Sequence, residues 1–392
     1  MASFERWLLP QGIEEALPTE AASLESMRRR LLDVFASWGY QLVKPPFIEY
    51  LESLLTGTGH DLDLQTFKLI DQLTGRSMGI RADMTPQVAR IDAHQFKSDT
   101  PNRLCYTGTV LQTRPDGFGS SRSPMQIGAE LYGHAGVESD VEIIRLMLET
   151  FAQAGVKNVS LDIGHVGIFR GLAAQAGLDQ EQEAALFEML QRKAIPEIQT
   201  FVAALNVPAE MQKMLNTLAE LHGGDECLQK AAEKLSAAND KVKNALLYLQ
   251  QTVTLLKQTS DVCIHFDLAE LRGYHYQTGI VFAAYVQGQG QEIARGGRYD
   301  GIGEVFGRAR PATGFSTDLK ALVNLSTQSI APNTAIFVPQ SSEAGRFEYI
   351  RQLRAAGECV IEALSGQQGS PADLACDRQL IYRNGQWSVI KL

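Results

Sequence analysis

The chain has 392 residues, with 36 Lys or Arg against 45 Asp or Glu, for a formal net charge of −9. That length suits two or three domains of about 100–200 residues each. A content of 44% hydrophobic and 21% charged residues is that of a globular protein and excludes disorder, collagen-like sequence and a small disulfide scaffold. The acidic balance argues against a basic footprint for nucleic acid or anionic membrane spread over the whole protein. The five cysteines are odd in number and never spaced C-x-x-C. That pattern suits reduced thiols and offers no zinc site, so no metal and no cofactor are expected. The N-terminus lacks a secretory pattern and no run nears 18 uninterrupted apolar residues. A soluble, cytoplasmic protein is the expectation, with no membrane contact.

In chain order, Thr19 to Trp38 predicts an amphipathic helix: Leu24, Met27, Leu31, Val34, Phe35 and Trp38 recur at three- and four-residue steps, and Gly39 ends it. The segment YQLVKPPFIEY predicts extended chain, kept to an edge or interface by Pro45 and Pro46. The runs KLIDQL, MGIRAD, RLCYTGTVLQTR and PMQIGAELYG predict strands, joined by short turns that favour antiparallel pairing. Ser139 to Ala154 predicts a second helix, opened by a Ser139/Glu142 capping box and stopped by Gly155. Further strands follow at VSLDIG, VCIHFDL, TGIVFAAYV and QEIARGG. Residues 178–258 change character to helices, the longest predicted over EKLSAANDKVKNALLYLQQTVTLLK. A helical block between strand-rich blocks reads as an insertion in an antiparallel α+β core. The polar stretch STQSIAPNT is a linker. It divides a core of residues 1–325 from a reduced α/β tail, 326–392, that ends in a hairpin turning at Asn384-Gly385.

Three segments carry concentrated polar chemistry. In the first, Asp83 and Thr85 lie two apart on a strand-like segment, so they face one side; they suit an ammonium group or, equally, the cap of a helix over PQVARIDAH. In the second, Gln126, Gly128 and Glu130 share one strand face, as a ligand floor or a solvated face. The third is Arg272 to Gly279 (RGYHYQTG) together with GGRYDG at 296–301, where glycines beside arginines and tyrosines suit a small anion or a tight turn. The seven histidines are scattered without metal spacing, and no P-loop or G-x-S-x-G occurs.

These blocks together resemble histidyl-tRNA synthetases, of the class II aminoacyl-tRNA synthetase family. ELRGYHYQTGIVF, ARGGRYDGI and PATGFSTDLKALVNL resemble that family's L-V-R-G-L-D-Y-Y, G-G-R-Y-D and G-F-A-x-G-x-E-R. IRADMTPQVAR resembles L-R-P-E-G-T-A-x-x-x-R, and RLCYTGTVLQTRPDGFGSSRSPMQIGAELYG resembles motif 2. The opening helix and GYQLVKPPFIEY resemble the motif 1 dimer element. The resemblance implies a class II synthetase-like antiparallel sheet flanked by helices. It also implies that Asp83, Thr85 and Gln126 meet the α-amino group of histidine, Gln126 and Glu130 the imidazole end, and Arg272 the carboxylate or the α-phosphate. Tyr276 matches the first residue of the Y-Y pair, while Gln277 replaces the second.

The nucleotide half departs from the family. Motif 2 arginine and glutamate positions fall on Leu111 and Thr113, the motif 3 arginine falls on Ala321, and Asp318 replaces a glycine. Roughly 60 residues follow the linker where synthetases carry about a hundred. A synthetase-like chain of this kind resembles the regulatory subunits of heteromeric ATP phosphoribosyltransferases. Membership implies a non-catalytic subunit, needed for the first step of histidine biosynthesis, whose partner is a separate short-form catalytic subunit and whose allosteric ligand is L-histidine. A homodimer through the motif 1 element, inside a larger hetero-oligomer, is implied as well. The former motif 2 loop, Asp116, Gly117, Phe118, Gly119, Ser120, Ser121, Arg122 and Ser123, is expected to contact the catalytic partner. An active histidyl-tRNA synthetase, with Arg114 or Arg122 serving the phosphate, and a tRNA-sensing binding module are the alternatives.

Overall fold

The computed structural model describes residues 8–56, 60–96, 99–115, 121–269, 273, 276–328 and 334–392. The chain divides into two compact units, Met1–Gln328 and Ser329–Leu392.

The first unit is built on a nine-stranded sheet. Its order is Gln41–Leu42, Asn102–Thr109, Met125–Tyr132, Ala312–Asp318, Ala294–Arg298, Ile280–Val286, Val159–His165, Cys263–Asp267 and His222–Gly223. The pairs are antiparallel except at Gln41–Leu42 on Asn102–Thr109 and at Val159–His165 on Cys263–Asp267. The proline-bearing segment thus lies at an edge, as its missing N–H donors require. The second parallel pair explains the helical block: parallel neighbours need a long crossover, and the chain between them supplies it. Among its helices are Gln180–Gln191, Ile195–Ala204, Ala209–Leu218 and Glu226–Lys234, before Asp240–Lys257 leads back to the sheet. Val242, Leu249 and Leu256 of that last helix join the main core, so the block is packed into the unit.

Strand alternation gives the sheet two unlike faces. Register places Ala129, Phe315, Gly296, Phe282, Ile163 and Phe266 in one row across it. This is the core face, covered by the helices Pro18–Ser37 and Val137–Ala154 through Leu24, Met27, Leu31, Phe35, Ile144 and Phe151. Gly296 belongs there because a Cβ would come within 2.5 Å of the Phe282 ring. On the opposite face the rows are Glu130, Gly314, Gly297 and Val281, and beside it Tyr106, Gly128, Ser316, Arg295, Ala283, Asp162 and His265. The glycines of that face make room for neighbouring side chains, Glu130 at Gly314, Gln277 at Gly297 and Tyr106 at Gly128.

Two expectations are corrected here. The helix predicted to open at a Ser139/Glu142 capping box begins at Val137 with Gly136 as its cap residue. Ser139 instead accepts from Arg298 at 2.8 Å, and Glu142 accepts from Arg103 at 2.7 Å and from Tyr40 at 3.0 Å. The long helix expected across EKLSAANDKVK is two helices. Asn239 breaks it because its side-chain oxygen accepts from the Val242 N–H at 3.1 Å, the N-cap geometry that asparagine favours over a helix interior. Asn239 also donates to Gly171 O at 2.8 Å. Asn239→Ala should lower stability by about 1–2 kcal/mol, read from the midpoint of urea unfolding.

A second, three-stranded antiparallel sheet joins Ile48–Tyr50, Ser77–Ile80 and Phe67–Ile70. The tail unit is a four-stranded sheet with the order Val360–Glu362, Ala335–Val338, Cys376–Arg383 and Gln386–Lys391. The helix Arg346–Ala355 covers one side through Ile350, against Ile336, Val338, Val360 and Leu380. Its hairpin turns at Asn384 and Gly385, both at positive φ (52° and 82°), which this residue pair tolerates.

Candidate amino-acid-binding site

Asp83 and Thr85 do not share a strand. The strand Ser77–Ile80 has ended, and Thr85 is the first residue of the helix Thr85–Gln95, whose start Pro86 favours by its fixed φ. Asp83 Oδ1 accepts from the Thr85 N–H at 3.0 Å and from Gln126 Nε2 at 2.7 Å. Gln126 Oε1 in turn accepts from the Met84 N–H at 2.9 Å. The helix start is thereby clamped onto the strand Met125–Tyr132, and Asp83 organises that turn.

From this clamp a chain of hydroxyls runs inward. Thr85 Oγ1 lies 3.1 Å from the Tyr106 hydroxyl, which donates to Glu130 Oε1 at 2.9 Å. Tyr299 donates to Glu130 Oε2 from the other side. Glu130 is 1% exposed, so it is no solvated strand residue. Burial pushes its carboxyl up to about 8, despite the Tyr299 and Tyr106 hydroxyls that favour the charged form. At neutral pH Glu130 is thus held mainly in its neutral form. Burial, with the neighbouring Glu130 carboxyl, likewise keeps Tyr106 and Tyr299 far above the usual phenol range. Room for the carboxyl comes from Gly314 on the next strand, where a Cβ would lie 1.5 Å from Glu130 Oε2.

Tyr276 lies in the turn after Gly273 and is 42% exposed. Gln277 follows it and is buried, 5% exposed, with its backbone carbonyl held by Arg170 at 2.8 Å. Its side-chain Oε1 lies over Gly297, 2.4 Å from where a Cβ would stand, and has no hydrogen-bond partner among the described residues. A buried acceptor left in this way costs about 1–3 kcal/mol until a donor reaches it. Arg272 lies outside the described residues, as do 116–120 of the former motif 2 loop. Of that loop's remainder, Arg122 donates to Gln112 O at 3.0 Å and Gln11 O at 3.1 Å, and Ser121 and Ser123 lie 3.3 Å apart, hydroxyl to hydroxyl. The small-anion reading of GGRYDG is corrected. Arg298 is buried against Asp140, at 3.1 Å, and Asp300, at 3.2 Å, so its guanidinium is committed to the protein.

Comparison with known proteins shows the family. The family model described as histidyl-tRNA synthetase matches residues 12–322, and that of the ATP phosphoribosyltransferase subunit HisZ C-terminal domain matches residues 333–390. The ATP phosphoribosyltransferase regulatory subunit of Thioalkalivibrio sulfidiphilus is 59% identical, with 100% of both chains covered. The chain belongs to this regulatory-subunit family. The namesake from Methylococcus capsulatus is 57% identical over 98% of this chain and 96% of its own. A crystal structure titled as an ATP phosphoribosyltransferase regulatory subunit/histidyl-tRNA synthetase, from Bacillus halodurans C, matches with a TM-score of 0.83. It is 27% identical and covers 95% of this chain and 97% of that one. The histidyl-tRNA synthetase of Nostoc sp. PCC 7120 shares the fold, with a TM-score of 0.77 at 18% identity over 98% and 97% of the two chains. The α+β class and the synthetase-like sheet expected from the sequence are those found.

The positions that the sequence resemblance aligns with the nucleotide-binding residues of synthetases make local structural contacts in this chain. The Leu111 N–H bonds Arg81 O at 3.0 Å and the Thr113 N–H bonds Gln65 O at 2.9 Å. Arg81 is buried, donating to Pro45 O at 2.9 Å and Thr109 O at 3.0 Å, and burial lowers its pKa. Asp318 caps the helix Leu319–Leu325, accepting from the Lys320 N–H at 3.1 Å and the Met125 N–H at 2.9 Å. Burial raises its pKa. Ala321 sits inside that helix. Sequence reading missed Tyr106, Tyr299 and Gly314 as parts of the site. Their signal was faint, a tyrosine in RLCYTG and the GGRYD and ATGF strings, and only strand register brings them to Glu130.

Proposed function

We propose that this chain is the non-catalytic regulatory subunit of a heteromeric ATP phosphoribosyltransferase, binding a separate short-form catalytic subunit and responding to L-histidine. Histidine is read by Asp83, Thr85 and Gln126 at its amino end and by the Glu130 pocket at its side chain, with Tyr276 beside it; the synthetase resemblance adds Arg272 to this set. The observation that carries this reading is the contrast between the two halves of the site. The amino-acid half is a connected hydrogen-bond network, Asp83–Gln126 and Thr85–Tyr106–Glu130–Tyr299. The nucleotide half offers Leu111, Thr113 and Ala321. Each charge-assisted hydrogen bond contributes about 1.5–3 kcal/mol. Two missing arginine clamps therefore remove most of the nucleotide affinity, and each lost donor to the transition state costs about 10²–10³ in rate. The unpartnered Gln277 oxygen adds support, since an imidazole brings the N–H that it lacks.

Regulation requires histidine to bind one assembly state better than another, and a coupling of about 1–3 kcal/mol suffices for 5–150-fold control. A homodimer through the motif 1 region within a larger hetero-oligomer fits the exposed Leu42, Phe47, Ile48 and Ile70. Among the described residues no helix is long and apolar enough to cross a membrane.

The decisive test mixes the chain with a short-form catalytic subunit and follows phosphoribosyl transfer. The chain should raise turnover and histidine should suppress it. Histidine-dependent ATP–pyrophosphate exchange by the chain alone would identify a working synthetase instead, and salt-sensitive tRNA binding a tRNA sensor. Asp83→Ala should weaken histidine binding about 10–100-fold, the value of one charge-assisted contact, while assembly with the catalytic subunit persists.

A further inference from the structure

One helix joins the turn that carries Tyr276 and Gln277 to the helical block of residues 178–258. The strand Val159–His165 runs directly into the helix Val166–Ala176. His165 caps its start, with the Gly167 N–H donating to His165 Nδ1 at 3.0 Å. Burial, with the Arg298 and Arg170 charges, holds the His165 pKa down at about 4. At neutral pH the imidazole is therefore neutral, and Nδ1 keeps the lone pair that the cap uses.

The helix Asp240–Lys257, the last of the block, grips this helix near both ends. The Tyr248 ring packs edge-on against His165, with centroids 5.7 Å apart and planes at 70°. At the other end Asn239 donates from its side chain to Gly171 O at 2.8 Å and from its N–H to Gln175 Oε1 at 2.7 Å. Gly171 is required there, because a Cβ would come within 2.6 Å of Val242 Cγ2. Between these points Ile168, Phe169 and Leu172 are buried in the same core as Val242 and Leu249. Close-packed helices of this kind move together or not at all.

Arg170 precedes Gly171 and reaches from the helix pair to the site. Its Nη1 donates to Gln277 O at 2.8 Å, a hydrogen bond strengthened by the charge of the donor. The turn it meets is short: the N–H groups of Tyr276 and Gln277 both donate to Gly273 O, at 2.9 and 2.8 Å, with Gly273 at a φ of +69°. Beyond it the Thr278 N–H donates to Arg298 O at 2.7 Å. The sheet thus fixes the exit of the turn, while the helix pair fixes Gln277, the residue whose side chain lies over Gly297.

We propose that Arg170 is a positioning residue for this turn, through which the helical block and histidine binding act on each other. The assignment rests on the reading that the site binds histidine, and it gives the block a role beyond supplying a crossover. Linkage makes the effect reciprocal: what steadies the helix pair tightens the site, and histidine in the site steadies the helix pair.

The test uses the full-length chain. Calorimetry reads L-histidine affinity, and amide hydrogen exchange with and without saturating L-histidine reads the helices Val166–Ala176 and Asp240–Lys257. Changes in the helix Pro18–Ser37 report overall stabilisation and are subtracted. In the parent, histidine should slow exchange in both helices about fivefold or more beyond that reference. Arg170→Ala should bind histidine at least about fivefold more weakly, the lower end of usual coupling between sites. When more histidine refills the site of that variant, the extra protection of Asp240–Lys257 should be absent. Arg170→Lys, which keeps a charged donor, should restore part of both readings. Binding by Arg170→Ala within twofold of the parent overturns the assignment, as does undiminished protection of Asp240–Lys257 in the refilled variant. Should Arg170→Ala not fold, the parent decides: histidine binding without extra protection of either helix overturns the assignment. A parent that binds no L-histidine instead overturns the histidine reading, and the assignment with it.

Discussion

Arg298→Ala should lower the unfolding free energy by about 3–5 kcal/mol and weaken the ligand site in the same stroke. Arg298 and Asp140 are 5% and 0% exposed at their side chains. The guanidinium donates from Nε to Asp140 Oδ2 at 3.1 Å and from Nη2 to Asp140 Oδ1, also at 3.1 Å, a bidentate pair. It further donates to Ser139 Oγ at 2.8 Å and to His134 O at 3.1 Å. Burial opposes its charge, but Asp140 more than offsets that and its pKa stands above the ordinary arginine value. Removing the arginine leaves Asp140 charged in the interior with Tyr248 as its main remaining donor. The loss comes from that orphaned carboxylate, so a double replacement by apolar residues, Arg298→Met with Asp140→Leu, should recover most of it. The next residue is Tyr299, whose hydroxyl meets Glu130. Histidine binding should therefore fall in the single variant. Urea unfolding and calorimetry read both effects, and a stability loss under about 1 kcal/mol would contradict the buried-pair account.

The same pair shows what could and could not be read in the sequence. Ser139-x-x-Glu142 has the letters of a capping box, and nothing local to it reveals that Arg298, 159 residues away, takes the serine. The break at Asn239 was local, yet lay hidden inside a run of good helix formers. Period-two alternation did locate Gln126, Gly128 and Glu130 on one face, because a strand has only two faces. What surrounds Glu130 depends on strand order: Tyr106 and Gly314 come from two strands and Tyr299 directly follows a third, and no spacing along the chain relates them. Gly314 has an ordinary reading as a strand glycine until the Glu130 carboxyl is found where its side chain would be. The resemblance to synthetases carried the order of the site's parts; the hydroxyl chain and the protonation state of its central carboxyl follow from burial and geometry alone.

That protonation state has a measurable sign. Glu130 is held at a pKa of about 8 in the folded protein, against 4.5 as its ordinary value. Between those two pH values the folded state binds up to one proton more than the unfolded state, so stability falls as pH rises, by up to about 1.4 kcal/mol per pH unit. The contribution is complete below about pH 4.5 and is lost above about pH 8. Keeping the proton breaks nothing, because it sits within one of the two tyrosine contacts and the Thr85–Tyr106 link can reverse its direction. Glu130→Gln, a neutral isostere, removes this slope. Its stability relative to the parent should be nearly equal at pH 5 and improve steadily toward pH 8. Glu130→Ala takes away the acceptor for two buried hydroxyls and should cost about 2–5 kcal/mol at pH 5, where the glutamine costs little. Parallel stability profiles for the parent and Glu130→Gln from pH 5 to 8 would mean that the carboxyl ionises normally. The hydroxyl chain would then face the ligand as a fixed negative charge, with preference for the imidazolium form of histidine over the neutral one.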